Sequence, residues 1–247
     1  MPLPKGELAL SARRTAGVVT WIDEFGTVQR RAAGPALLTE RIYLAGRSRA
    51  KAWKKQNEPT HQGYYWFGQL ERHVWYETMS EYLGLMFLDQ SREVRAISAQ
   101  PMLIGFGNGR AHYPDYLYLG DHTQQTIFDV HRADKVAEDP SQFEATFDLC
   151  QRIGWSFELF TGLDRIHQAN LEWLAAFRHK DYAPTGEDAR RLLDACDRGV
   201  TLGDLCQHFP AERRRILVHT YHLLWTRMLL FDDHEPLTER TAIWCQR

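Results

Sequence analysis

Pro114-Asp115-Tyr116-Leu117-Tyr118-Leu119-Gly120-Asp121-His122-Thr123-Gln124-Gln125-Thr126-Ile127-Phe128-Asp129-Val130-His131, residues 114–131, is the stretch on which the reading of the fold turns. Two strand-forming runs, Tyr116 to Leu119 and Thr126 to His131, flank a Gly120-Asp121-His122-Thr123-Gln124 turn, which predicts an antiparallel hairpin. Centring the pairing near His122 places Asp115 within a residue of Asp129 on the partner strand. Side chains alternate, so Asp129 and His131 face one way while Val130 and Arg132 face the other. Two carboxylates and an imidazole are thereby expected on one sheet face.

A third acid comes from just upstream. Tyr82, Leu83, Leu85, Met86, Phe87 and Leu88 leave the predicted helix 77–88 no polar side, so it is a buried helix. Glu81 shares a side with Leu85 and Leu88. An acid turned into a core is costly unless something cationic meets it. Glu81 is therefore either salt-bridged to an arginine such as Arg110 or a ligand, or orienter, of a metal ion. A cluster of carboxylates suits a hard ion, Mg²⁺ or Mn²⁺.

Working outward, Gly17 to Ile22 and Gly26 to Arg30 read as a short hairpin, Pro35 to Leu44 as one helix, and Tyr64 to Phe67 and Val74 to Tyr76 as strands. Between them lies Arg41 to Gln56, with Arg41, Arg47, Arg49, Lys51, Lys54 and Lys55 and no acid. It is either a solvated basic surface or a phosphate-contacting arm. An extended segment, Val94 to Met102, carries Gln100. Downstream, Asp139-Pro140-Ser141 opens an amphipathic helix with Phe143, Phe147 and Cys150 on one stripe, stopped by Gly154. Trp155 to Phe160 reads as a buried strand, and a further helix around Leu171-Glu172-Trp173-Leu174 ends near Lys180. Helix, three strands, helix, strand and helix make an α/β sandwich.

Ala183-Pro184-Thr185-Gly186 is a plausible linker. Three helices follow it: Glu187 to Cys196, one opened by the cap signal at Thr201, and Glu212 to Met228. Leu229 to Phe231 and Thr241 to Trp244 then bracket a turn, so the pattern is that of a winged helix. Arg213, Arg214 and Arg215 open the third helix, as a DNA-reading face or as a surface for a partner protein. The expected division is a hairpin and basic segment over 1–60, a catalytic α/β domain over 61–180 and a winged-helix-like domain over 184–247.

Composition narrows the function classes. The 247 residues are 44% hydrophobic and 25% charged, ordinary for a globular chain, and no signal peptide or membrane span is visible. At net charge −2 the whole chain is no polycation, so any nucleic-acid contact needs local basic patches and bound metal. Cys150, Cys196, Cys206 and Cys245 lack CxxC spacing and read as reduced, cytoplasmic residues. Cys206, His208, His219 and His222 have poor spacing for zinc and read as packing and surface residues.

The order and spacing of Glu81, Asp89, Val94-x-x-Ile97-x-x-Gln100, Asp115-Tyr116-Leu117 and Asp129-Val130-His131 resemble the TnsA endonucleases of heteromeric cut-and-paste transposons. These belong to the PD-(D/E)xK nucleases. The likeness continues through Gly154-Trp155, Thr161 and Asn170 to Leu174, over roughly residues 61–178. It implies a restriction-endonuclease-like mixed sheet flanked by helices, and a bacterial enzyme that nicks the 5′ ends of a transposon. It also implies a DDE-type transposase as partner, an AAA+ ATPase as regulator, and action at the nucleoid. Carried over by position, Glu81, Asp115 and Asp129 hold two Mg²⁺ or Mn²⁺ ions.

The chain departs from the family at two neighbouring positions: where the family has Gln or Glu followed, after one residue, by Lys, it has Asp129 and His131. A neutral imidazole replaces that fixed charge poorly, but it can accept a proton from water or bind metal. Lys135 is an auxiliary candidate that reaches back, and Arg132 one that needs the opposite face. Two rivals follow: a decayed nuclease core kept as a DNA- and partner-binding scaffold, and a stand-alone nuclease of the same superfamily.

Overall fold

A computed structural model describes residues 17–48, 61–107 and 109–246 of the chain. In chain order the elements are β1 (Val18–Ile22), β2 (Val28–Ala32), β3 (Gly63–Phe67), β4 (Arg72–Tyr76), α1 (Met79–Ser91), β5 (Ala96–Ala99), β6 (Met102–Gly105), β7 (Ala111–His112), β8 (Tyr116–Leu119), β9 (Gln125–Val130), α2 (Ala133–Glu138), α3 (Ser141–Ile153) and β10 (Ser156–Phe160). After these come α4 (Arg165–Ala175), α5 (Gly186–Cys196), β11 (Val200–Thr201), α6 (Leu202–His208), α7 (Arg213–Trp225), β12 (Leu229–Leu230) and β13 (Ala242–Cys245). The protein is a mixed α/β structure, and no described helix is long and apolar enough to cross a membrane.

The chain divides into two compact units. The first takes Met1–Leu85 and Arg92–Gly162, the second Met86–Ser91 and Leu163–Arg247. This differs from the division expected at 60 and 184, for two reasons. Strand β1 pairs with β6, which builds the N-terminal hairpin into the first unit. Asn170 of α4 donates to the carbonyls of Asp233 and Glu235 and accepts the Leu237 amide, which fastens α4 to the C-terminal segment.

The first unit holds two four-stranded sheets, β2-β1-β6-β7 and β10-β9-β8-β5, with β3 and β4 as a separate hairpin. In the second sheet β9 runs antiparallel to β8 and parallel to β10. One core cluster joins both sheets: Val19, Trp21, Met102 and Ile104 from one, Leu117 and Ile127 from the other, and Leu149, Cys150 and Ile153 from α3. Helix α1 covers the opposite face of the second sheet, where Gly84 lies so close that an added Cβ would meet Val130 at 2.8 Å and Phe128 at 3.3 Å.

Several expectations need correction. Residues 35–44 are not one helix but two 3₁₀ turns, Pro35–Thr39 and Ile42–Leu44, because Glu40 between them is extended (φ −82, ψ 136). The extended segment 94–102 is broken by Gln100, which sits in the left-handed region at φ +46 and separates β5 from β6. Phe147 is exposed on α3, whose inner stripe is Phe143, Thr146, Leu149, Cys150 and Ile153. Strand β10 is less buried than expected, as an edge strand.

In the second unit the order is helix, helix, strand, helix, helix, strand, strand, and β13 is the middle strand of the sheet β11-β13-β12. Three helix starts there carry side-chain caps, from Asp164, Thr185 and Thr201, each oxygen accepting amides of the first turn.

Candidate active site

The register of the hairpin determines where the acids lie. Tyr116 pairs with Phe128 and Leu119 with Gln125, so the next position outward sets Asp115 opposite Asp129. The two residues latch the strand ends together. The Asp115 amide donates to Asp129 Oδ1 at 3.0 Å, and Asp115 Oδ2 accepts the Val130 amide at 2.8 Å. Strand β7 adds a residue that the sequence reading passed over. His112 Nε2 lies 2.6 Å from Asp129 Oδ2, and both side chains are nearly buried. Asp129, 1% exposed, thus has a hydrogen-bond partner on each oxygen, as a buried carboxylate requires.

These groups open onto a cleft of about 470 Å³ lined by Glu77, Glu81, His112, Asp115, Asp129 and His131, with Arg132, Lys135 and Phe143 at its sides. The His131 ring packs against Phe143 of α3, 5.2 Å between centroids. Alternation puts Arg132 on the far face, yet it borders the same cleft. Strand β9 ends at Val130, so the alternation no longer governs where residue 132 points. Arg132 is paired with Asp134 and Lys135 with Glu138, both pairs exposed.

Glu81 reaches the cleft by a different route from the one expected. It is the last member of Thr78-Met79-Ser80-Glu81 at the start of α1, a variant of the capping box in which the carboxylate reaches the Glu77 amide instead of that of Thr78. The Glu81 amide donates to Thr78 Oγ1 at 3.1 Å, and Glu81 Oε2 accepts the Glu77 amide at 2.7 Å. Arg110, its suggested partner, binds Asp139 and Ser141. Because α1 lies over the Phe128 and Val130 face, Glu81 flanks the sheet end from the side opposite Asp129. The oxygens of Glu81, Asp115 and Asp129 accordingly do not all come within 4.8 Å of one another. Tyr116 stands beside Glu81. Its hydroxyl donates to the Trp75 carbonyl, and burial first, then the nearby charges of Glu81 and Asp115, hold its pKa well above the usual value.

Gln100 stands one hydrogen bond behind the cleft. Its amide group donates to Glu77 Oε2 at 3.1 Å, and its Oε1 accepts from Arg47 Nε at 2.8 Å. Arg47 is half-buried with its guanidinium 3.5 Å from the centre of the Trp75 ring, so it is built into the fold and is no part of a free basic arm. Arg49, Lys51, Lys54 and Lys55 lie outside the described residues.

In the second unit Arg213 is paired with Glu239, and Arg215 with Glu212 and Asp188. Arg214 is exposed and has no ion-pair partner among the described residues. Cys206, His208, His219 and His222 do not gather. The His208 ring bonds the Asp204 carbonyl, and the His222 ring bonds that of Phe177.

No family model matches this chain, and no curated protein matches it. What the cleft can do therefore rests on its donors. In kind they suit a divalent ion: carboxylates around one cleft, with Asp115 and Asp129 fixed to neighbouring backbone. In position they suit Asp115 and Asp129 as a pair, with Glu81 held apart by its cap. Cys150 has no nucleophilic part, since burial and the neighbouring Asp129 push its thiol up to about 12.

Proposed function

We propose that this chain is a TnsA-like DNA endonuclease. It hydrolyses phosphodiesters at the 5′ strand ends of a transposon, together with a DDE-type transposase and under an AAA+ regulator. The observation that carries the reading is the direct opposition of Asp115 and Asp129, at the mouth of a cleft that His131 and Glu81 also reach. The mixed sheet, with β10 parallel to β9 and helices α1 and α3 on its faces, supports a restriction-endonuclease-like core. The run α5, β11, α6, α7, β12, β13 supports a winged-helix-like second unit.

Asp115 and Asp129 would hold the metal, with Glu81 joining on release of its cap. A bound Mg²⁺ or Mn²⁺ supplies Lewis acidity to the scissile phosphate. His131, exposed and resting on Phe143, is the group placed to take a proton from the attacking water. Arg132 and Lys135 stand at the cleft side in exposed ion pairs, which solvent screens to little net worth. Exchanging Asp134 or Glu138 for a phosphate oxygen therefore costs them little.

The test is nicking of a plasmid carrying transposon ends, with Mg²⁺ or Mn²⁺ and the partner transposase. Asp115→Asn and Asp129→Asn should each lower the rate at least about 100-fold, with folding checked by thermal melts. Cleavage that survives Asp115→Ala rejects the site.

A second reading, a DNA- and partner-binding scaffold with a spent nuclease core, is favoured by one observation. Both Asp129 oxygens and the Glu81 carboxylate are already engaged within the fold. Calorimetry decides between them: no Mg²⁺ or Mn²⁺ uptake, even with DNA present, favours the scaffold.

A further inference from the structure

The second unit contains a cluster outside the cleft in which donor atoms do come together. Asp164, His167 and His234 each offer a ligand atom, and these atoms all lie within 4.8 Å of one another. Asp164 and His167 stand at the start of α4, three residues apart and so on one side of it. His234 arrives from the segment between β12 and β13. His234 Nδ1 is 2.6 Å from Asp164 Oδ2, and the two imidazole rings are 5.3 Å apart. Asp233 borders the group, 3.6 Å from His167 Nε2 and 3.8 Å from His234 Nε2.

We infer that Asp164, His167 and His234 form a binding site for a transition-metal ion of the zinc class, which pins the segment between β12 and β13 to the start of α4. Two imidazoles and a carboxylate select such an ion over Mg²⁺, which prefers oxygen throughout. In a tetrahedral site with bonds of roughly 2.0–2.1 Å, neighbouring donors lie about 3.3 Å apart. The 2.6 Å between Asp164 Oδ2 and His234 Nδ1 opens to that edge by a small side-chain movement, and water completes the set.

The independent support is that the ligands are held before any ion arrives. Asp164 Oδ1 accepts the amides of Ile166 and His167, both at 2.9 Å, which fixes its carboxylate as the helix cap. The Asn170 side chain makes three hydrogen bonds to the backbone at Asp233, Glu235 and Leu237, which fixes the segment carrying His234. The His167 side chain is 13% exposed and packs edge-on against Phe87, 6.3 Å between centroids. Ligands restrained by packing and outer hydrogen bonds bind with less loss of freedom.

The experiment uses the full chain, stripped with a chelator and titrated with Zn²⁺ by calorimetry and with Co²⁺ by visible absorption. One equivalent should bind, with the d–d bands of a low-coordinate site, and the thermal midpoint should rise by several degrees in excess Zn²⁺. His167→Gln and His234→Gln should weaken binding at least about tenfold. Asp164→Asn is the cleaner variant, because Asn caps a helix as well as Asp. It should leave the metal-free midpoint unchanged while weakening Zn²⁺ to a similar degree. Asp115→Asn, in the cleft, should bind Zn²⁺ as wild type does. Absence of stoichiometric binding overturns the assignment, as does binding that these three variants leave intact or that Asp115→Asn abolishes.

Discussion

Asp129 is the residue on which most of the first unit's chemistry converges. Its side chain is 1% exposed and satisfied by His112 on one oxygen and the Asp115 amide on the other. Replacing His112 with Ala leaves a buried carboxylate short of a partner, and we expect a loss of about 1–3 kcal/mol in urea unfolding. Cys150 reports on the same charge. Its thiol pKa is raised by burial first and by Asp129 second, to about 12. A raised folded pKa means that this contribution to stability is intact below the unfolded value near 9 and is lost as pH climbs towards 12. Alkaline unfolding of Cys150→Ala should lack that part of the decline. Alkylation of native Cys150 at pH 9 should be slow, and faster in Asp129→Asn once labelling rates are corrected for stability.

At the scale of elements, helix α1 carries two separable devices. Thr78 and Glu81 close its first turn, and Thr78→Ala should cost about 1 kcal/mol by thermal melt. Gly84 lets it approach the sheet. Ala at that position gains about 1 kcal/mol of helix propensity yet forces a Cβ to within 2.8 Å of Val130, so we expect a net loss of about 1–2 kcal/mol.

These same elements mark what the sequence disclosed. Strands β8 and β9 were legible because alternation, the turn residues and the pairing centre all agreed, and the opposition of Asp115 and Asp129 followed. The capping box was equally present in Thr78-x-x-Glu81. It was obscured by the apolar run after it, which drew Glu81 into a metal cluster. His112 was hidden because β7 is two residues long, too short for a period, and its role comes from pairing with β6. The face that α1 covers depends on Gly84 meeting Val130, a contact between distant segments that no local pattern encodes.

At the scale of the whole molecule, a net charge of −2 sets the expectation for DNA. Contact must be local, so the dependence of affinity on salt should be shallow. Each phosphate-bound cation contributes a slope of about 0.9 in log K against log salt. Arg214→Ala should reduce the slope by about that amount if α7 faces DNA. Arg213→Ala should reduce it similarly, since its exposed pair with Glu239 is exchanged for a phosphate at little cost. Filter binding between 50 and 200 mM salt, on the order usual for such titrations, measures both.

The reciprocal clasp between Asp115 and Asp129 sits at the end of the hairpin remote from residues 120–124. Alignment of the two acids is thus secured without help from the tip of the loop. In descendants of this sequence, insertions and deletions should accumulate at that tip while the two aspartates persist as a pair. A lineage that lost one acid would be freed to lose the other, and a collection of such sequences would record the two disappearing together.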